Sequence, residues 1–520
     1  MAEQAFTDRR QLLQAAAALA VAGWAPRQAA SQPRWPDSPF ALGVASGSPA
    51  ADSVVLWTRL AGPSLPAGPV AVRWEIADDE GFTRVAQQGV AQAAADLAYS
   101  VHVEAQGLAP DRWYFYRFIA GGWSSPVGRT RTLPAPDAIV ARLRLAYASC
   151  QRWEHGYYAA WRHLRAEQPD LVLFLGDYIY EYPGSLNAVR GVEGGWLHSL
   201  DQYRRRHAQY KSDPDLQAAH AAAPWLLAWD DHELQNDYAG VHPGNAGPPV
   251  ADFAARRAAA YQAYYEHMPL RASAFGRAVA GGSLGLHSQQ RFGRLAALHV
   301  LDGRQHRDPQ VCTPAGRPGS GTFDPSVCPE WHDPSRSLLG AAQERWLEGQ
   351  LARSADVQWT VLGQGTLFGQ RRRPGSGRLL WNDGWDGYPH ARRRLTNALQ
   401  QLRAPNPVLF GGDVHENWVG HVKADYGSAG SADIGVEFCG TSITSRPSNA
   451  SVAAVGARLA ANPHFTFADA QYRGYGIADF SPERLEVGPR VLDDATRADS
   501  GVRTLARFAV AAGRAQVERA

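Results

Sequence analysis

Net charge is almost absent from this sequence. Its 520 residues carry 52 lysines and arginines against 50 acids, a formal balance of +2, which supplies no general attraction to nucleic acid or to an anionic membrane. Arginines gather at 204–206, 371–373 and 392–394. Without the interleaved aromatic or glycine frameworks of nucleic-acid modules they read as solvated helix faces, and no stable nucleic-acid partner is expected. Long apolar runs are scarce too. The one candidate, AAAALAVAGWA at residues 15–25, is too short and too weakly hydrophobic to span a membrane. It follows the pair Arg9 and Arg10 and precedes the small-residue stretch QAAS, the order of a charged region, an apolar region and a cleavage zone. Residues 1–31 are therefore read as a twin-arginine signal peptide. It would pass a folded chain through the twin-arginine export machinery to a secreted or periplasmic location, with no transmembrane span afterwards. A buried amphipathic first helix is the alternative.

Cysteine is rare, with 4 in the chain. Cys312 and Cys328 share one Gly/Pro/Ser-rich loop, and in an oxidising compartment a disulfide between them is the expectation. Cys439, in VEFCGTSITS, reads as a packed strand residue. Several catalytic signatures are missing as well. There is no G-x-S-x-G elbow and no P-loop, and HELQN from His232 has Asn236 where a zinc-protease helix needs its second histidine. No internal repeat is present.

What is there is an ordered, globular composition, 45% apolar and 20% charged, in a chain too long for one core. Residues 38–135 hold short β-like runs, SVVLWTRL, VAVRWEIAD, SVHVEAQGL and RWYFYRFIAG, with Val72, Trp74 and Ile76 alternating against polar neighbours. They predict a β-sandwich of fibronectin type III kind, closed by the proline-marked linker RTLPAPDAIVAR. From 142 to 500 the rhythm changes. LRLAYASC, LVLFLGD, RLAALHVLDGR, VQWTVLGQG and NPVLFGGDVH read as strands, and GYYAAWRHLRAEQ, LLGAAQERWLEGQLARS and RRRLTNALQQLR as helices. Such alternation implies a layered α/β domain. Residues 501–520 are left as a C-terminal tail.

Several of these strand-like runs end in metal-ligating types. Cys150 follows LRLAYAS, Asp177 and Tyr180 follow LVLFLG, Asp230 and Asp231 precede His232 in WDDHE, and Asp413 and His415 close GGDVH. Donors emerging from the carboxyl ends of adjacent strands converge on one point, as a multinuclear metal site requires. Each motif is weak alone; in this order they are strong.

With these motifs the sequence resembles the calcineurin-like metallophosphoesterases, and within them the PhoD-type alkaline phosphatase family. The likeness runs through PFALGVASGSP, DSVVLWTRL, ASCQRWEHGYY, LGDYIYEY, YRRRHAQYKSDPDLQAAHA, AWDDHE, AAYQAYYEHMPLR, WDGYP, GGDVHENW and GTSITS. It implies an α/β protein, with a fibronectin type III-like sandwich followed by an αββα metallophosphoesterase domain. It also implies iron(III) and calcium as cofactors. Cys150 as thiolate, Asp177, Tyr180 as phenolate and His415 would hold iron. Asp177 would bridge to calcium, which Asp413 and either Asp230 or Asp231, with Asp231 favoured, would complete. The donor chemistry agrees, since a ferric ion favours anionic ligands and calcium takes hard oxygens. By the same resemblance His232 faces the substrate and protonates the leaving group. Arg304, in LDGRQHRD, is either a fork for an anionic substrate oxygen or a partner of Asp302.

The implied function is a secreted, metal-dependent phosphatase, acting as a monomer on phosphate monoesters and diesters by direct attack of a hydroxide or oxide held on the metals. One alternative is a phosphodiesterase or phospholipase D-like enzyme. The other is a secreted binding protein whose α/β domain is only a scaffold. Gly303, His306 and Gly365 depart from the family's usual LDTRQYR and VLAQQ, which puts substrate fit in question more than metal binding.

Overall fold

Alternation inside LVLFL shows why the chain forms layers. Leu171, Leu173 and Leu175 point into a core shared with a second sheet, while Val172 and Phe174 point the other way, under helices. A strand covered on both faces has no place for a polar side chain until it ends. The computed structural model describes residues 35–279, 283–313, 317–375, 378–428, 430–446 and 450–520. The expected signal peptide, residues 1–31, lies outside them. Among the described residues no helix is long and apolar enough to cross a membrane.

The first large sheet runs in the order Glu518–Arg519, Phe508–Ala511, Arg484–Leu492, Gly474–Phe480, Leu143–Ala148, Leu171–Leu175, Trp225–Ala228, Val44–Gly47, Ser53–Arg59 and Ser100–Gln106. Its central strands Leu143–Ala148, Leu171–Leu175 and Trp225–Ala228 are parallel. The second sheet runs Ser288–Phe292, Ala296–Val300, Trp359–Gly363, Pro407–Gly411, Asp433–Cys439, Asn417–Lys423 and Phe465–Asp469. Leu145, Leu173 and Leu226 of the first sheet meet Leu298, Val361 and Val408 of the second. Helices Ala159–Ala166, Leu200–Lys211, Pro214–His220 and Phe253–His267 cover the far face of the first, and Ala341–Arg353 and Pro389–Gln401 that of the second. The result is the expected αββα stack.

The sandwich has its own core, with Val54, Leu56, Val72, Ile76, Tyr116 and Phe118 buried inside it. Its sheets are less separate than the linker suggested. The Val44–Gly47 strand pairs in parallel with Trp225–Ala228 through Gly47 and Trp225, so one sheet of the sandwich continues the catalytic sheet. Residues 501–520, expected as a C-terminal tail, contribute strands to the first sheet. Phe508–Ala511 pairs with Arg484–Leu492, and Phe508 and Val510 are buried in the core between the large sheets.

One buried base sits where the sandwich strand meets the helical layer. The Lys211 amine lies 4.3 Å from the Trp57 ring centre, 5.4 Å from that of Tyr178 and 3.5 Å from His220 Nε2. Burial pushes its pKa down to about 7. The unfolded chain keeps that proton up to about pH 10.4, so it binds more protons than the native state between these values, and stability rises with pH across that window. Lys211→Met is expected to raise the melting temperature by several degrees at pH 7 and below. That gain should shrink steadily toward pH 10 in calorimetric scans; a gain independent of pH would mean that packing, not the proton, was responsible.

Candidate active site

Four of the expected ligands stand on left-handed backbone just past strand ends: Cys150 at φ 60°, Asp177 at 60°, Asp413 at 66° and His415 at 55°. A non-glycine residue in that region costs about 1–3 kcal/mol, and such residues cluster where side chains must be aimed at a ligand. Gly176 explains the preceding step of the GD pair. It has φ 106°, and a Cβ there would lie 2.5 Å from the Asp230 backbone nitrogen. Only glycine lets the end of one strand pass that close to the next.

The side chains converge. Donor atoms of Cys150, Asp177 and His415 lie within 4.8 Å of one another, and so do those of Asp177, Asp231 and His232. Asp177 belongs to both groups. The Tyr180 hydroxyl donates to Asp177 Oδ2 at 2.9 Å, lies 3.3 Å from His415 Nε2 and accepts from Ser445 Oγ at 2.7 Å. His415 Nδ1 lies 2.9 Å from the Arg446 carbonyl, an acceptor only, so Nδ1 carries the proton and Nε2 faces the cluster. Burial, then the Arg473 charge, push His415 down to about 3, which keeps the ring neutral. Asp413 stands at the edge of the group, where Oδ2 accepts from Thr366 Oγ1 at 2.6 Å.

Asp230 and Asp231 have different surroundings. Arg304 is fully buried, and its Nε and Nη2 hold Asp230 at 2.6 and 3.2 Å while Nη1 and Nη2 hold Asp383 at 2.9 and 2.7 Å. The expectation of Arg304 as a substrate fork is thereby corrected: the donor edge of its guanidinium is taken up by two internal carboxylates. From Arg304, Asp302 accepts the backbone N–H, at 2.9 Å, and not the guanidinium. Asp230, committed to that guanidinium, is turned from the cluster that Asp231 joins.

Sequence reasoning missed several members of the site. Glu181 Oε2 lies 2.8 Å from His232 Nδ1, and its other oxygen takes the Asn236 backbone N–H at 2.7 Å. Glu233 accepts backbone N–H groups of Tyr178 at 2.6 Å and Asp230 at 3.0 Å, tying together the loops that carry Asp177 and Asp231. Glu181 was within the segment GDYIYEY and Glu233 within WDDHE. Asp383, two residues past the short strand Leu380–Trp381 in a loop-rich stretch, carried no signal of its own. The structure also joins Cys312 to Cys328 in a disulfide and leaves Cys150 and Cys439 free and buried.

The acids of the cluster are buried close to one another. Burial, followed by the Asp177 charge, pushes both the Cys150 thiol and the Tyr180 phenol well above their usual values. Burial lifts Asp177 far up as well; His232 opposes the rise, and Asp231 and Asp230 add to it. Asp413 is pushed up to about 8 by burial and by Asp230 and Asp231. Asp177 Oδ1 is buried with no hydrogen-bond partner among the described residues. A multivalent cation would reverse each of these shifts and satisfy that oxygen. In His232 burial lowers the pKa, but the charges of Asp231, Glu181 and Asp177 outweigh it and raise it well above the ordinary value.

The same residues mark a family. The PhoD-like phosphatase family model matches residues 145–488, and that of the PhoD-like phosphatase N-terminal domain matches residues 24–134. The chain belongs to the PhoD-like phosphatase family. It is 43% identical over 488 residues to alkaline phosphatase D of Bacillus subtilis strain 168, covering 92% of this chain and 81% of that protein. A solved structure described as that of PhoD superposes with a TM-score of 0.87 at 42% identity, over 94% of this chain and 93% of the other. This PhoD-like phosphatase is thus a phosphoric ester hydrolase with an N-terminal β-sandwich. Of its three departures from the family pattern, Gly303 and Gly365 are buried and His306 is exposed. A Cβ at Gly365 would meet Asp230 Oδ1 at 2.9 Å, and one at Gly303 would meet Leu338 at 3.2 Å. Gly365 thus leaves room for the Asp230 carboxylate that Arg304 holds.

Proposed function

We propose that this phosphatase is a two-cation enzyme, with iron(III) held by Cys150, Asp177, Tyr180 and His415, and calcium by Asp177, Asp231 and Asp413. The observation that carries this reading is Asp177, shared by both donor groups, with its orphaned Oδ1. The donor types fit: a thiol, a phenol and a neutral imidazole around Asp177 on one side, and the carboxylates of Asp177 and Asp231 on the other, with His232 beside them and Asp413 at the edge. When bound, such cations would lower the pKa of water and neutralise charge on the phosphoryl oxygens.

The chain's own residues supply the remainder. His232 is held at Nδ1 by Glu181, and its ring packs against those of Tyr180 and Tyr182, with centroids 4.1 and 5.1 Å away. That leaves Nε2 directed away from Glu181, with a proton to give to the departing alkoxide. Glu181 fixes the ring and favours its cationic form. Arg304 and Glu233 keep Asp231 and Asp177 at their stations without touching the ester. Twin-arginine export to a secreted or periplasmic location completes the reading, and the Cys312–Cys328 bridge suits an oxidising compartment.

His232→Ala tests the proton donor. For an alkyl phosphate monoester kcat should fall by about 10² to 10⁴, the usual contribution of one acid–base group. For p-nitrophenyl phosphate, whose leaving group needs no proton, the fall should be much smaller, with iron and calcium content unchanged by elemental analysis. Equal losses on both esters would remove His232 from this role. Chelation of protein purified with its metals should abolish turnover of both, and full activity in metal-free protein would end the two-cation reading.

A further inference from the structure

Next to the ligand cluster a cleft of about 770 Å³ opens between the loop at 371–374, Trp381 and the helix Val452–Ala460, with Asp413 at its edge. Its walls differ in chemistry. On the helix side Ala454 and Ala457 are exposed and small. On the other side lies the arginine run that the sequence offered only as a solvated face. Glu416, buried beneath, accepts from Arg371 Nη1 at 3.1 Å and from Arg458 Nη1 and Nη2 at 3.1 and 2.9 Å, so these two guanidiniums are anchored. Arg373 is placed differently. It is exposed, its guanidinium carbon lies 5.6 Å from the Trp381 ring centre, and among the described residues no carboxylate pairs with it. Partial burial and the charges of Arg371 and Arg458 lower its pKa. A cation held against an aromatic face beside two other cations is relieved by an incoming anion.

We propose that this cleft is an accessory anion subsite, in which Arg373, backed by Trp381 and flanked by Arg371 and Arg458, holds a second phosphoryl group of the substrate. The proposal rests on the reading that the scissile phosphate sits at the Asp177 cluster, to which Asp413 connects the cleft. The favoured substrate is then a phosphodiester whose alcohol bears a further phosphate, with the carbon linker lying along Ala454 and Ala457. An isolated monoester would leave the subsite empty.

A matched pair of substrates tests this: the p-nitrophenyl diester of thymidine monophosphate, with and without a further phosphate on the remaining sugar hydroxyl. Release of nitrophenolate reports the same bond in both. The native enzyme should prefer the further-phosphorylated diester by at least about tenfold in kcat/KM, the effect of one charge-assisted contact. Most of that preference should lie in KM, and added salt should erode it. Arg373→Ala should raise KM for that substrate about tenfold and leave the plain diester within about twofold; Arg373→Lys should keep part of the preference. An equal loss on both substrates, or none on either, would overturn the subsite. If the native enzyme cleaves neither diester, the reading of the reaction centre fails instead. Calorimetric binding of thymidine bisphosphate to the native protein and to Arg373→Ala then decides the subsite alone, with equal affinities overturning it.

Discussion

Asp177→Asn will yield a folded protein with almost no phosphatase activity, down by more than about 10⁴-fold, beyond what loss of a single acid–base group explains. The amide has nearly the volume of the acid, and the Tyr180 hydroxyl can still donate to its oxygen, so packing survives. What disappears is the one anionic group common to the two donor sets. An amide nitrogen directed at either set offers hydrogens where a cation needs lone pairs. Elemental analysis should therefore show both iron and calcium reduced, against native protein purified in parallel. Full metal content together with lost activity would place Asp177 in the chemistry but outside the metal shell. Retained activity would dissolve the proposal altogether.

The largest effect on stability is expected from Arg304→Met. The guanidinium is wholly buried and pairs with Asp230 and Asp383, with Asp231 a further 3.5 Å contact. Removing one partner of a buried ion pair leaves uncompensated charge and costs about 3–5 kcal/mol, far more than the pair itself contributes. Asp383 keeps Arg307 at 2.9 Å and Gln310 at 2.6 Å; among the described residues Asp230 keeps no ion pair of its own. Adding Asp230→Asn to Arg304→Met should therefore recover about 1–3 kcal/mol, as coupled neighbours do. Denaturant midpoints at constant slope would measure both numbers. A single variant as stable as the native protein would show that solvent reaches this bed.

Much of the site was legible because it sits where strands stop. In LVLFLGD the apolar run ends when the strand leaves the sheet, and a charged residue placed there faces the ligand edge of an α/β layer; NPVLFGGDVH repeats the logic. Proximity through the sheet could be inferred from order alone. Pairings between loop residues far apart in sequence could not. Arg304 meets Asp230 across 74 positions and Asp383 across 79, and nothing in LDGRQHRD says whether its fork faces water or two acids. Glu181 looked like one more polar residue among tyrosines until the fold brought His232 beside it.

The sequence by itself determined the layered architecture, the donor types and their gathering at strand ends, because period-two burial and chain punctuation are local properties that survive any arrangement of neighbours. The tertiary structure alone decided which aspartate of WDDHE faces the cluster, that Arg304 is an internal counterion, that the sandwich shares a sheet with the catalytic layer, and that Arg373 lacks an acidic partner among the described residues. Those outcomes depend on desolvation and on charge pairing between distant segments, quantities that have no value until the chain is folded.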